Sequence, residues 1–382
     1  MRETYRVLPV YAGDVSGACG ALYELEGMCV MHDPSGCNST YNTFDETRWY
    51  EKDSLIFLSG LTDLDAVMGN DKKLIRDVEE TARALQPKFI ALMNSPIPYL
   101  NGTDFSGICR VLEKDLRIPA FYVPTNGMHD YTEGAGQAFQ RVAEWLVEDT
   151  AVRDADAVNI LGYTPLDFPA AESEGNLRNI LETAGFRVLS NWSVNTNLDS
   201  IRASGRAQVN LVVSAAGLYA AEALRKRFGT PWVAGIPVAG FADAVLGALG
   251  DAVNSGENQI PHKSLRCAGE PGYTLVGEPV MMTSLAAAIQ LDTGVPAQVL
   301  CPTELRGELL GGMDASVSGE EGAQAKLCGA RHVVADPLYR QICPRETRFH
   351  PLPHLAFSGR LYRSRYPNPF GERFADLWRN ET

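Results

Sequence analysis

Short apolar runs rich in β-branched and aromatic residues alternate with helical patterns along almost the whole chain. Residues 54–58, 89–93 and 120–123 are three such runs, and helical patterns over 72–85 and 104–116 separate them. Strands that alternate with helices are typical of parallel sheets built from strand–helix–strand units. The same order returns twice downstream. The sequence therefore predicts an α/β fold of three Rossmann-like domains, with mostly parallel sheets flanked by helices.

A chain of 382 residues is longer than one core usually holds, and three blocks match the usual domain size. We predict an N-terminal α/β domain with the cysteine loops over 1–153, a second α/β domain over 154–265, and a third with a C-terminal helix over 266–382. Ligands of parallel α/β sheets collect at the carboxyl ends of strands. Polar residues in such positions, which could equally be turn residues, are the candidate substrate contacts: Asn94, Ser95, Asn126 and Ser214.

The net charge of −13 argues against a nucleic-acid partner, because phosphate binding needs a basic surface. No apolar run approaches the roughly 20 residues that a membrane span needs. The first residues lack the apolar stretch of a secretory signal, so we expect a cytoplasmic protein. Eight cysteines in this length is an ordinary frequency, and no disulfide framework is predicted.

Two cysteines near the start of the chain have a distinctive setting. Cys19 and Cys37 bracket a glycine-rich stretch, and the Gly and Pro residues around them predict turns that would present both thiols from loops. Such thiols favour iron–sulfur ligation over a disulfide, although no close cysteine pair of the zinc or ferredoxin type is present. Packing in the core is the default for the other cysteines: Cys29, Cys109, Cys267, Cys301, Cys328 and Cys343.

Several segments, in order along the chain, resemble one family. Residues 19–22 read Cys-Gly-Ala-Leu, residues 32–37 read His-Asp-Pro-Ser-Gly-Cys, and residues 51–53 read Glu-Lys-Asp. Further similar segments are residues 68–74, 100–104, 158–162, 228–232 and 352–360. Together they resemble the component 1 family of nitrogenase. Its relatives include the dark-operative protochlorophyllide reductase, the chlorophyllide reductase and the cyclase component of coenzyme F430 synthesis.

The resemblance implies a catalytic component that accepts electrons. In that family an ATP-hydrolysing iron–sulfur reductase docks and passes single electrons to an iron–sulfur cluster, from which they reach a substrate in a cavity among three domains. By the same resemblance, Cys19 and Cys37 are ligands of that cluster. The protein would bind, orient and protonate the substrate, while the cluster carries the redox step. A tetrapyrrole or another unsaturated small molecule is the expected substrate class.

The sequence departs from the family pattern at two places. The family usually has a third cluster cysteine where this chain has Ser95 or Pro96. The cysteine that ligates the molybdenum–iron cofactor in the nitrogenase α-subunit falls at Val213 or Ser214, so no thiol is present there. We therefore do not expect dinitrogen reduction on a cofactor of that type. The chain is also short for a nitrogenase subunit and is closer in length to the tetrapyrrole-reducing relatives.

Two cysteines in one chain cannot complete a four-cysteine cluster. Two chains related by a twofold axis can, because both present the same surface. We therefore expect one [4Fe–4S] cluster shared across a dimer interface, with Cys19 and Cys37 from each protomer. Cys29 is an alternative ligand, and a heterodimer with a paralogue is the alternative to a homodimer.

Histidines are the candidate proton donors, because a general acid works best with a pKa near the working pH. His129 follows a predicted strand end, and His354 lies in a Pro-flanked segment. For both, an ordinary structural histidine is the simpler interpretation. His32 lies in the cysteine loop, where we expect a hydrogen bond that fixes the loop. For Asp104 we expect a helix cap.

Two other functions compete with a catalytic component. Some relatives within the family serve as scaffolds on which metal clusters mature before transfer, and such a protein would release its cluster without turning over a substrate. The other alternative is a relative that has lost its cluster and only binds a ligand or partner. The missing third cysteine favours this reading, whereas the retention of Cys19 and Cys37 argues against it.

Overall fold

The computed structural model describes residues 7–8, 12–34, 41, 46–305 and 308–379. Its strands form three sheets, and every strand pairs in parallel with its neighbours. Helices flank the sheets, so the predicted fold class of three mostly parallel, Rossmann-like sheets is confirmed. None of the helices in the described ranges is long and apolar enough to cross a membrane.

The first sheet has the strand order β2-β1-β3-β4. Its strands are β1 (Met28–His32), β2 (Leu55–Leu58), β3 (Ile90–Asn94) and β4 (Ala120–Val123). The helices of this part of the chain are α1 (Asp14–Leu22), α2 (Asp63–Met68), α3 (Asp71–Leu85), α4 (Pro96–Asn101), α5 (Phe105–Leu116) and α6 (Tyr131–Trp145). As expected, Asp104 caps α5 by accepting a hydrogen bond from the Gly107 amide (2.9 Å).

The second sheet has the order β6-β5-β7-β8. Its strands are β5 (Ala157–Leu161), β6 (Arg187–Asn191), β7 (Val209–Val212) and β8 (Trp232–Ala234). The helices are α7 (Ser173–Thr183), α8 (Leu198–Arg202), α9 (Gly217–Phe228), α10 (Ala242–Ser255) and α11 (His262–Leu265).

The third sheet has the order β11-β10-β9-β12-β13. Its strands are β9 (Tyr273–Val276), β10 (Ala297–Cys301), β11 (Ala315–Ser316), β12 (His332–Ala335) and β13 (Arg348–Pro351). The helices are α12 (Pro279–Thr293), α13 (Gly319–Leu327), α14 (Leu355–Ser358) and α15 (Asp376–Arg379). Helix α12 carries almost no charge and is buried along most of its length, as an apolar helix between two layers should be.

The cores of the three sheets are continuous. One hydrophobic cluster joins Cys19 of α1 and Phe139 of α6 to Trp192 and Leu218 of the second unit. Another cluster joins the second sheet to the third through α12. The sheets use residues 28–123, 157–234 and 273–351. The domain boundaries at 153/154 and 265/266 remain predictions.

Each sheet contains a point where the order of strand addition reverses. These switch points lie between β1 and β3, between β5 and β7, and between β9 and β12. In open parallel sheets, ligands bind beside the carboxyl ends of the strands at such points. The residues that follow these six strands are therefore the first place to look for a functional site.

Candidate functional site

Cys19 lies inside helix α1 and is fully buried, so the prediction of a loop-borne thiol at this position was wrong. The glycines around it permit close packing and do not form turns. A Cβ at Gly17 would collide with the Tyr131 carbonyl, and a Cβ at Gly134 would collide with the Asp14 carbonyl. Helices α1 and α6 therefore touch backbone to backbone.

The Cys19 thiol reaches the carboxyl end of β3. Its Sγ lies 3.4 Å from Sδ of Met93, the residue before Asn94 and Ser95. Burial raises the pKa of Cys19 well above its usual range, and the neighbouring Cys29 and Glu46 add to this rise. A bare Cys19 is therefore a protonated thiol, and a thiolate here needs nearby positive charge, such as that of a metal.

Cys29, the alternative ligand, lies on β1 and is fully buried. Burial raises its pKa to about 12. Cys37 lies outside the described residues, and the described part of its loop ends at Pro34. Within the described ranges, no group of three or more His, Cys, Asp or Glu side chains could hold a metal ion. The described thiols thus fit part of a cluster site, and the remaining donors would come from Cys37 and from a second chain.

His32, Asn94 and Ser95 meet at the β1/β3 switch point. The Ser95 hydroxyl donates to the His32 carbonyl (2.8 Å), so this side chain links the residue after β3 to the last residue of β1. Nδ1 of His32 lies 2.7 Å from the Ser59 hydroxyl, and burial lowers the pKa of His32. This contact agrees with the expected structural role of His32. The Asn94 Oδ1 is buried without a hydrogen-bond partner among the described residues, which leaves it available to a ligand.

A cleft of about 460 Å³ opens beside this switch point, with His32 in its wall. Helices α2 and α4 form one side of it, joined by a hydrogen bond from Asn101 Nδ2 to the Ala66 carbonyl (2.7 Å). Large apolar side chains on these two helices point to solvent, and we call them the apolar rim: Leu64, Val67, Met68, Ile97, Tyr99 and Leu100. Exposed apolar patches of this kind mark interaction surfaces.

Asn126 and His129 lie in the segment that leads into α6. The Asn126 amide donates to Oδ2 of Asp14 (2.7 Å), and its Oδ1 accepts from the Met128 amide (2.8 Å), so Asn126 shapes a turn. His129 is 42% exposed and its Nδ1 lies 2.9 Å from Glu304. That contact raises the pKa of His129. The structure therefore places His129 in a partly exposed ion pair.

His354 is buried at the junction of the three sheets. Its Nε2 lies 3.4 Å from Oδ1 of Asp167, while neither ring nitrogen makes a hydrogen bond to a described residue. Asp167 accepts from the Tyr131 hydroxyl (2.5 Å) and from the Thr164 hydroxyl (3.0 Å). A buried imidazole beside a buried carboxylate has the surroundings of a proton-transfer group, and both His129 and His354 stay candidate proton donors.

Glu278 completes this junction and joins the switch points of the second and third sheets. Its carboxylate accepts from the amide of Ala215 at the end of β7 (2.7 Å) and from the Met281 amide at the start of α12 (2.7 Å). Burial and the neighbouring Asp167 raise the pKa of Glu278 to about 8. Ser214 next to it donates to the Gly162 carbonyl (2.6 Å) and so bridges two strand ends.

The sequence analysis missed Arg48, Asp167 and Glu278. Arg48 is buried, pairs with Glu46 (2.7 Å) and Glu24 (3.0 Å), and donates to the carbonyl of Gly20 beside Cys19 (2.8 Å). Single charged residues in a sequence give no sign of burial, so periodicity could not find them. The position of Glu278, two residues after the apolar run 275–276, was the available signal.

The fold and site geometry can be compared with known proteins. The family described as nitrogenase component 1 type oxidoreductase matches residues 14–263. This chain belongs to that family. The match includes α1 with Cys19, all of the first two sheets and the residues of the β1/β3 switch point. The expected family resemblance is therefore confirmed.

Relatives in the family include two kinds of protein. The nitrogenase molybdenum–iron protein alpha chain of Azospirillum brasilense is 25% identical over 240 residues, which are 58% of this chain and 48% of that protein. The nitrogenase iron–molybdenum cofactor biosynthesis protein NifE of Clostridium pasteurianum is 25% identical over 225 residues, 56% of this chain and 48% of that protein. The chain spans about half the length of these curated relatives.

A solved structure described as nitrogenase Cp1 at pH 6.5 has the same fold. Its TM-score is 0.71 at 16% sequence identity, and the match covers 98% of this chain and 90% of that one. The family includes oxidoreductase chains and a cofactor biosynthesis protein. These similarities do not identify the substrate or the reaction of this chain.

Proposed function

We propose that this chain is the catalytic component of a nitrogenase-like reductase. It would receive electrons from an ATP-dependent iron–sulfur reductase and reduce an unsaturated small molecule, for which tetrapyrroles are one candidate class. Cys19 and Cys37 from each of two protomers would hold a [4Fe–4S] cluster. The observation that carries the proposal is the position of Cys19, whose Sγ lies 3.4 Å from Sδ of Met93, the residue before the last one of β3.

When bound, such a cluster supplies single-electron transfer. The described residues around Cys19 would exclude water from this site and hold its side chains in place. Met93 packs against the thiol, and the Tyr41 hydroxyl donates to Glu46 (3.1 Å), whose carboxylate is paired with Arg48. The Ser95 hydroxyl donates to the His32 carbonyl (2.8 Å) and so fixes the last residue of β1.

The apolar rim supports a docking surface for the reductase. Its most exposed members are Val67 (82%), Leu100 (75%) and Met68 (74%), and Val67 and Met68 line the same cleft as His32. A partner seated there would lie over the β1/β3 switch point, close to Cys19. Apolar anchors surrounded by charged groups are typical of the centre of a protein–protein interface.

The donor count supports a dimer, for which a symmetric homodimer is the simpler form. The chain offers Cys19 and Cys37 to a four-cysteine cluster, so a second copy would supply the other two. A heterodimer with a paralogue would satisfy the same requirement with other ligands. Cys29 is the alternative ligand, because it is a neighbour of Cys19.

A metallocluster scaffold is the second candidate function. It is favoured by the similarity to NifE, named as a cofactor biosynthesis protein. A scaffold would give up its iron to an acceptor protein and would show no substrate turnover with a reductase. A catalytic component would keep its iron through many turnovers.

The test is iron and acid-labile sulfide per protomer in anaerobically purified protein, with EPR after reduction. About two irons per chain and a [4Fe–4S] signal are expected for a cluster shared by two chains. Cys19→Ser and Cys37→Ser should lose the iron, and Cys301→Ser and Cys328→Ser should keep it. About four irons per chain would point to one cluster in each protomer. An iron-free protein, even after reconstitution, would point to a relative that only binds a ligand.

A further inference from the structure

A second cleft, of about 280 Å³, opens where segments from all three units meet. Residues that follow β5 and β6 form two of its walls, the segment before β2 forms the third, and the turn after α14 closes it. The carboxyl ends of strands in the second sheet thus face this cleft, as expected for a ligand site in a parallel sheet. We call it the Arg363 cleft.

Aromatic rings build one side of the Arg363 cleft. Tyr163 stacks on Phe168 with 4.7 Å between ring centroids, and Phe168 stacks in turn on Phe370 at 5.7 Å. Tyr366 also lines the cleft, and its hydroxyl donates to the Gly359 carbonyl (2.6 Å), which fixes the ring. Fixed aromatic walls favour a flat apolar ligand.

The basic side chains that line the cleft differ in whether they have partners in the protein. Lys52 binds Glu24 (2.6 Å) and Asn195 (3.1 Å), and the buried Arg48 is held by Glu24 and Glu46. Arg363 is exposed and makes no hydrogen bond or ion pair with any residue that the structure describes. A free guanidinium beside aromatic walls is suited to a carboxylate, which it can bind through two parallel hydrogen bonds.

The turn after β6 holds a strained backbone at this cleft. Ser193 has φ 101° and Asn195 has φ 49°, values in the left-handed region that favours glycine. The turn is fixed from several sides: Arg48 donates to the Ser193 carbonyl (2.8 Å), the Ser193 hydroxyl donates to the Gly20 carbonyl (2.9 Å), and Glu24 accepts from the Asn195 amide (2.9 Å). Strained residues held in this way are concentrated at functional sites.

We propose that the Arg363 cleft binds an aromatic monocarboxylate. The volume lies just below the usual range of ligand pockets, about 300–1,000 Å³, so one or two fused rings fit and a whole tetrapyrrole does not. Glu51 and Glu174 also line the cleft and disfavour polyanions. The ligand carboxylate would pair with Arg363, and its ring would contact Tyr366 and the Tyr163–Phe168 pair.

The cleft is connected to the thiol site through the backbone. Gly20, the residue after Cys19, accepts hydrogen bonds from both Arg48 and Ser193, which frame the cleft. If the proposed function holds, the bound aromatic acid is its substrate or a close analogue. That last step rests on the proposed function, whereas binding itself rests only on the cleft.

The test is isothermal titration of the purified full chain with 2-naphthoate. We expect saturable binding with a Kd of about 1 mM or lower. Arg363→Gln should weaken binding about tenfold or more, because it removes the charged donor. Arg365→Gln is the matched control, since Arg365 is equally exposed but lines a different cleft; its Kd should stay within about twofold of the wild type.

The neutral isostere 2-naphthamide tests the role of charge and should bind about tenfold more weakly than 2-naphthoate. Equal affinity for the two probes, equal weakening by both arginine variants, or a titration of the wild type without saturation would overturn the proposal. Iron content is measured on the same samples. Binding of 2-naphthoate that depends on Arg363 in an iron-free protein would support the ligand site and refute the proposed function. Iron in a protein that does not bind 2-naphthoate would refute the ligand site and support the proposed function.

Discussion

The Tyr131 hydroxyl donates a 2.5 Å hydrogen bond to Oδ1 of Asp167, and this bond joins the first residue of α6 to the segment that follows β5. Both side chains are buried, and Asp167 also faces His354 (3.4 Å) from the third unit. The contact therefore lies where all three units meet.

Replacing Tyr131 by Phe should lower the free energy of unfolding by about 1.5–3 kcal/mol, because a buried carboxylate loses a donor. Urea denaturation measures this change. Tyr23→Phe is the control: Tyr23 is also buried, but its hydroxyl donates to the carbonyl of the exposed residue Lys52 (2.9 Å), and about 0.5–1.5 kcal/mol is expected. Equal losses in the two variants would contradict a special role for the junction.

The contact of α1 with α6 makes a second prediction. Gly134→Ala places a methyl group against the Asp14 carbonyl, so the helices must separate, and a loss of about 3 kcal/mol or more is expected. Gly247→Ala in α10 meets no atom within 4 Å and should stabilise the fold by about 0.5–1 kcal/mol, since alanine favours the helix. Thermal unfolding of both variants checks the pair. An unchanged unfolding temperature for Gly134→Ala would mean that the two helices do not touch.

Stability should depend on pH through Glu278. Burial and Asp167 raise its pKa to about 8 in the folded protein, whereas an unfolded Glu titrates near 4.3. The folded state thus holds an extra proton between these pH values. The free energy of unfolding should therefore fall as the pH rises from about 4.5 to 8, by at most about 1.4 kcal/mol per pH unit from this group.

Asp167→Asn isolates this effect, because Asn keeps an acceptor for Tyr131 and removes the neighbouring charge. The pKa of Glu278 should then fall, and the loss of stability should end at a lower pH than in the wild type. Urea titrations from pH 5 to 9 compare the two proteins. Superimposable pH profiles would show that Asp167 does not act on Glu278.

The apolar rim should govern docking without governing stability. Met68→Glu places a charge on a residue that is 74% exposed, so the free energy of unfolding should change by no more than about 0.5 kcal/mol. Binding to the proposed ATP-dependent reductase, followed by sedimentation, should weaken about tenfold or more, because a charge would be buried at an apolar interface. Leu361→Glu, at a residue that is 72% exposed and outside the rim, should leave binding unchanged. The same loss in both variants would argue against the rim.

Much of the fold could be predicted because strands and helices alternate with strong patterns. The predicted run 120–123 matches β4 residue for residue, and the runs 54–58 and 89–93 agree with β2 and β3 to within one residue at each end. The predicted C-terminal helix is present as α15, but it covers only Asp376–Arg379. Its one aromatic residue, Trp378, is fully buried, a tertiary effect that a local pattern does not reveal.

The site was less predictable than the fold. The motif around Cys19 identified the family, but its glycines suggested turns, whereas Gly17 serves a helix crossing that only the folded chain reveals. Asn94 and Ser95 lie at a strand end as predicted, yet the Ser95 hydroxyl donates its hydrogen bond to the His32 carbonyl and not to a ligand. Arg48 and Asp167 gain their importance from partners that are distant in sequence, so no spacing rule could have selected them.

The glycine crossing of α1 and α6 also bears on how this chain can diverge. Because the two main chains touch at Gly17 and Gly134, the depth of the Cys19 sulfur is set by the backbone and not by exchangeable side chains. Substitutions elsewhere in the core can then accumulate without moving it.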